Sequence, residues 1–139
     1  MDIQGTLLID NEPYEVGRAA EWLDATIGEA DYPPRLLAVM QVALEEVLTN
    51  IMLHGYADID DHKIELTLEA DTEAVTLRFV DDGIPFDPTE RPLPEPMETD
   101  NDEAGGLGIL FVRRLMDEVA HERAGGQNHL TLRKFVAAH

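Results

Sequence analysis

Glu46, Asn50 and His54 stand four residues apart, a spacing that lines a carboxylate, a carboxamide and an imidazole along one stripe of a helix. A carboxylate and a carboxamide one turn apart suit a general base and an oxygen ligand for Mg²⁺. Glu45 projects about 100° away from that stripe and reads as surface. A second group, Asp81-Asp82-Gly83-Ile84-Pro85-Phe86-Asp87-Pro88, follows an apolar run ending at Val80. A carboxylate at a strand end can accept a hydrogen bond from an exocyclic amine such as that of adenine, and Gly83 lets the backbone approach a ring closely. A third, Gly105-Gly106-Leu107-Gly108, stands directly before the apolar Ile109-Leu110-Phe111-Val112. Glycines there free backbone N–H groups to face a phosphate, where a helix dipole adds favourable potential. Each group also has a plainer reading: a solvated helix face, an ordinary Asp-Gly-Pro turn, a hinge.

Other chemistries find no footing. The chain has no serine and no cysteine, which removes both nucleophiles, disulfides and thiolate metal sites. Its histidines form no H-E-x-x-H pattern, and there is neither a G-x-S-x-G elbow nor a lysine-bearing phosphate loop nor a dinucleotide G-x-G-x-x-G after a strand. With 29 acidic against 10 basic residues, the formal charge of −19 disfavours nucleic acid and anionic lipid as partners. A phosphate ligand must therefore be met by backbone amides, a helix N-terminus and a divalent cation. No stretch reads as a membrane span of roughly 18 apolar residues, and the start lacks a secretory pattern, so the expectation is a soluble, cytoplasmic protein.

The elements that must position these groups follow from periodicity. At 139 residues the chain suits one domain, 1–139. Gly5 to Ile9 reads as a strand, and Val16, Ala19, Ala20, Leu23 and Ile27 recur at helical spacing before Gly28. A long apolar helix runs from Leu36 to Leu53 and ends at Gly55. Ile64, Leu66 and Leu68, then Val75, Leu77 and Phe79, alternate with polar residues as an antiparallel hairpin. Residues 83 to 104 hold five prolines (Pro85, Pro88, Pro92, Pro94, Pro96) and many acids, which predicts a mobile lid rather than regular structure. A helix follows from Gly105 to about Asp117, then two strands around Gly125-Gly126. The predicted fold is α+β, a two-layer sandwich with helices on one face of a mixed, mostly antiparallel sheet.

In one order along the chain stand Glu-x-x-x-Asn-x-x-x-His, a strand-end Asp-x-Gly-x-Pro-Phe-Asp-Pro, a proline-rich segment and Gly-Gly-Leu-Gly before a helix. That order resembles the Bergerat-type ATP-binding fold of the gyrase, histidine-kinase and mismatch-repair ATPase superfamily. Within it, VALEEVLTNIMLHGY, DDGIPFDP, GGLGILFVRRLMDEV and GGQNHLTLRK resemble the anti-sigma regulatory serine kinases, from about Leu36 to the C-terminus. The resemblance implies a histidine-kinase-like ATPase domain using ATP and Mg²⁺, with an ATP lid at about 83–108. It gives Glu46 the general base, Asn50 the metal ligand, and Asp81 with Gly83 the adenine site. Gly106 and Gly108, with Gly105 and Leu107, become the phosphate side of the lid hinge. The implied activity is a serine/threonine protein kinase that phosphorylates an anti-sigma antagonist and sequesters a regulatory partner such as a sigma factor, with a PP2C-type phosphatase pathway and a homodimer left open. The alternative is a nucleotide-gated binding module without transfer, because the lid RPLPEPMETDNDEA is acidic and has Arg91 as its sole basic residue.

Overall fold

The computed structural model describes residues 2–54, 62–85 and 106–136. The body of the predicted lid, Gly55 and Gly105 lie outside the described residues. The elements in chain order are β1 (Ile3–Asp10), α1 (Glu15–Ile27), α2 (Pro34–His54), β2 (Lys63–Ala70), β3 (Ala74–Asp81), α3 (Gly106–Leu115), β4 (Glu118–Ala124) and β5 (Gln127–Phe135). The strands form one sheet in the order β1-β2-β3-β5-β4. Where a mixed, mostly antiparallel sheet is expected from sequence, every pairing among these strands is antiparallel.

Local chemistry explains the two hairpins. At the β2–β3 turn, the Asp71 carboxylate accepts the N–H groups of Glu73 (2.8 Å) and Ala74 (3.0 Å), a side-chain imitation of a backbone turn. At the β4–β5 turn, Gly125 and Gly126 take φ of 60° and 75° between the paired Ala124 and Gln127. A two-residue turn with both φ positive matches the twist of antiparallel strands and is nearly restricted to residues like glycine. Register then follows from alternation: Ile64, Leu66 and Leu68 on β2, Val75, Leu77 and Phe79 on β3, and Leu130 and Leu132 on β5 all turn to the helix face and are buried.

α2 starts with Pro34, whose missing N–H costs nothing at a helix start. Leu36, Met40, Ala43, Leu44, Val47, Leu48 and Ile51 form its buried stripe. Gln41 donates to the Ala20 carbonyl at 2.9 Å and ties α2 to α1. Contrary to the sequence expectation, Pro34–Leu53 has the length and mean hydropathy (1.6) of a membrane-crossing helix. The reason lies in its packing: as the central helix over the sheet it shares the main core cluster with strand residues, and needs apolar side chains over more than one flank. α1 covers β1 through Ala19, Leu23 and Ile27, and α3 packs beside α2 through Leu110 and Val112.

Leu48, fully buried in this layer, tests the energetic weight of α2. Leu48→Ala removes apolar contact and leaves a void, so urea denaturation should show a loss of about 2–5 kcal/mol with an unchanged slope. A loss well under 1 kcal/mol would mean that α2 does not organise the core.

Candidate functional site

The three groups singled out from sequence fall into two clusters. The first joins α2 to α3. Glu46 is half-buried on α2, Glu45 is exposed, and Asn50, one turn beyond Glu46, is buried. α3 begins at Gly106, so Gly106, Leu107 and Gly108 form its first turn, where backbone N–H groups have no partner within the helix. Gly108 lies against Glu46: a Cβ added at residue 108 would overlap Glu46 Oε2 and stand 3.1 Å from Cδ. A side chain at 108 and the carboxylate of Glu46 thus compete for the same space. Asn50 as a residue is 7% exposed, and among the described residues its carboxamide takes no hydrogen bond. His54 closes α2.

The second cluster is built at one end of the sheet. The β3–β5 register sets Asp81 opposite Asn128, and the β4–β5 register sets Asn128 opposite Arg123. Asp81 is buried, and its Oδ1 accepts the Gly83 N–H at 2.9 Å and Asn128 Nδ2 at 3.2 Å. Among the described residues Oδ2 accepts no hydrogen bond. Asn128 Nδ2 also donates to the Ile84 carbonyl at 2.8 Å, so both of its amide protons have acceptors. His121 Nε2 lies 3.0 Å from Asn128 Oδ1; because that oxygen can only accept, Nε2 carries the proton. Arg123 donates to the Gly83 carbonyl at 2.7 Å, and Asp82 turns away to the His62 ring at 3.0 Å. The Asp-Asp-Gly-Ile turn is thereby clamped from β4 and β5, with one carboxylate oxygen of Asp81 left to read a donor.

Asn128, His121 and Arg123 escape a reading of motifs. A signal for Asn128 does exist: it precedes Leu130 and Leu132 in strict alternation, which puts a carboxamide on the buried face. The structure brings Glu46 together with Gly108, and Asp81 with Gly83, but no described contact joins the two clusters. α2 ends at His54, and β2 starts at Lys63 at the sheet end that carries Asp81.

Burial pushes the Asp81 carboxyl above the ordinary 3.8, outweighing the lowering by Gly83 and Asn128; the charge of Asp82 adds to the rise and Arg123 opposes it. The donor set fits a purine amine and a hard cation: an unbonded oxygen on a buried aspartate, a buried asparagine and a carboxylate beside helix N–H groups.

Comparison with known proteins supplies a family context. The sequence pattern of the histidine kinase-like ATPase domain matches residues 9–134. The serine/threonine-protein kinase BtrW of Bordetella bronchiseptica is 32% identical over 116 residues, covering 82% of this chain and 81% of its own length. An anti-sigma F factor of Clostridium beijerinckii is 30% identical over 117 residues, with 81% and 76% covered. The serine-protein kinase RsbW of Listeria monocytogenes is 26% identical over 119 residues, with 82% and 76% covered.

The raised Asp81 has a thermodynamic consequence. The folded state binds this proton at a pH where the unfolded chain has lost it, so the ionised carboxylate costs stability at neutral pH, and the cost fades as pH falls through the raised value towards 3.8. Asp81→Asn keeps the oxygen that Gly83 and Asn128 need and removes the charge. The variant should be more stable than wild type at about pH 7, with a gain that shrinks towards about pH 4 in urea denaturation. A variant less stable at neutral pH would refute this account.

Proposed function

This chain belongs to the histidine kinase-like ATPase domain family, and we propose that it is an ATP- and Mg²⁺-dependent serine/threonine protein kinase of the anti-sigma-factor type. Its substrate is a hydroxyl on an anti-sigma antagonist, and nucleotide state decides whether it holds that antagonist or a sigma factor. A phosphatase of the PP2C type would reverse the modification, and the setting is the cytoplasm. The relatives named as kinases and as an anti-sigma factor support this reading. The observation that carries it is the Glu46 carboxylate packed against Gly108 in the first turn of α3, one turn before a buried Asn50.

Asp81 Oδ2 accepts the adenine amine, and Gly83, its carbonyl held by Arg123, lets the ring lie against the turn. The N–H groups of Gly106, Leu107 and Gly108, with Gly105 before them, face the phosphates. Asn50 would hold Mg²⁺ through its carboxamide oxygen, and bound Mg²⁺ neutralises phosphate charge in a protein whose formal charge is −19. Glu46 takes the hydroxyl proton as the substrate oxygen attacks the γ-phosphorus and ADP departs. Positioning and charge neutralisation supply the rest.

A second reading, a nucleotide-gated clamp without transfer, is favoured by one observation: the segment RPLPEPMETDNDEA is acidic and has a single basic residue, Arg91, where a clamp on the γ-phosphate would call for more positive charge.

Two measurements decide between and beneath these readings. Glu46→Gln keeps shape and loses the proton acceptor, so transfer from radiolabelled ATP to the antagonist should fall roughly 10²–10⁴-fold while ATP affinity barely changes. Robust transfer by the variant would reject Glu46 as base, and no transfer by wild type to a proven binding partner would leave the clamp. In calorimetry, Asp81→Asn should weaken ATP at least about tenfold by turning an acceptor into a donor. Unchanged affinity would move the adenine site elsewhere.

A further inference from the structure

A buried carboxamide costs free energy unless its polar atoms are matched, and it can be matched in either of two orientations. Asn128 is held in one of them from three sides. Its Nδ2 donates to Asp81 Oδ1 at 3.2 Å and to the Ile84 carbonyl at 2.8 Å, while His121 Nε2 stands 3.0 Å from its Oδ1. Turned over, the amide would set its oxygen against two acceptors and its N–H groups against an imidazole N–H. The orientation that remains aims a donor at a carboxylate, and such a donor favours the ionised form of the carboxyl over the protonated one. The Gly83 N–H does the same at 2.9 Å, but it belongs to the turn itself. Asn128 reaches Asp81 from the neighbouring strand β5, so its side chain can be changed without altering the backbone of the turn.

The protonation state of Asp81 decides what its open oxygen can read. Ionised, Oδ2 only accepts and suits the amine at position 6 of adenine; protonated, the carboxyl can donate and suits the carbonyl that replaces this amine in hypoxanthine. We propose that Asn128, locked by His121, is the positioning residue that keeps Asp81 an acceptor and so sets the preference of the site for a 6-amino over a 6-oxo purine. The inference rests on the assignment of Asp81 to the nucleobase and adds to it a second residue and a dependence on pH. Burial drives Asp81 towards the protonated form, and Asp82, next in the chain, pushes the same way. Arg123 on β4 opposes them. A proton on His121, or on His62, which lies before β2 and against Asp82, adds positive charge and favours the ionised form. β2 presents the apolar, buried Ile64 on the same face, and His129 on β5 lies opposite Val80, on the other face from Asp81. Of the uncharged side chains, Asn128 is the one that donates to Asp81.

Calorimetry with ATP and with inosine triphosphate, which differ at position 6 and share the triphosphate, isolates this step. Wild type should prefer ATP at least about tenfold at about pH 8, and the preference should shrink as pH falls towards about 5, because protonated Asp81 loses the amine and gains the carbonyl. In Asn128→Ala the loss of preference should set in at least about one pH unit higher, since a hydrogen bond to the carboxylate is gone. Asn128→Asp, of the same size, should move the onset up further, because two carboxyls in that contact share a proton. It carries the test should the alanine variant fail to fold. His121→Leu frees the amide to turn over and should raise the onset, whereas His121→Gln, which keeps a donor, should stay near wild type. A merely structural role would lower both affinities together and leave their ratio and its pH onset in place. A wild-type onset in Asn128→Ala or Asn128→Asp would overturn the proposal and leave Asp81 on the nucleobase. A wild type with no preference at any pH would remove Asp81 from the nucleobase and the proposal with it.

Discussion

A carboxylate withdrawn from water at the end of β3 is the interaction on which the rest of the site depends. An unpaired buried charge is costly, and a charge with both oxygens satisfied could read nothing. Asp81 sits between these limits: Gly83 and Asn128 fill one oxygen and leave the other. That half-satisfaction is inherited from topology. The two-glycine turn sets the β4–β5 register, β5 sets Asn128 opposite Asp81, and β4 supplies His121 to orient the carboxamide and Arg123 to hold the Gly83 carbonyl. A slip of one residue in any of these pairings would carry the whole group to the other face of the sheet.

The second constraint is steric. α3 comes close enough to α2 that the Glu46 carboxylate occupies the volume of a side chain at residue 108. Gly108 thus serves two ends at once, a helix start with free N–H groups and a gap into which a carboxylate fits. The proposed function needs both in so acidic a protein: the helix start would attract a phosphate that the overall charge repels, and the gap holds Glu46 beside that helix start.

Much of this was legible before any coordinates. The β2–β3 hairpin, α2 and the strands around Gly125-Gly126 announce themselves because each depends on neighbours a few residues away. Glu46, Asn50, Asp81 and Gly83 stand out for the same reason, as spacings within one helix or one turn. The partners of Asp81 do not, because Asn128 lies 47 residues on and Arg123 reaches Gly83 across 40, and no local pattern encodes a register between such strands. The membrane-like hydropathy of α2 shows the converse: composition records that a helix is wrapped in apolar contacts, and packing alone tells that the wrapping is protein. The order β1-β2-β3-β5-β4, with β5 inside β4, likewise follows from long-range pairing.

The pairing of β1 has a further consequence, for the order of events in folding. β2 and β3 meet across a gap of only 5 residues (Ala70 to Val75), whereas β1 meets β2 across 53 (Asp10 to Lys63) to 67 (Ile3 to Ala70). Closing the longer loop costs more chain entropy, so β1 is expected to dock after the local hairpins have formed. Although β1 comes first in the chain, it must wait for both helices and β2, and throughout that wait a β-prone strand whose one charge is Asp10 has two open edges instead of one. The traffic of nascent or refolding chains therefore meets its main hazard at this segment, where crowding at early times turns an undocked strand into a concentration-dependent trap.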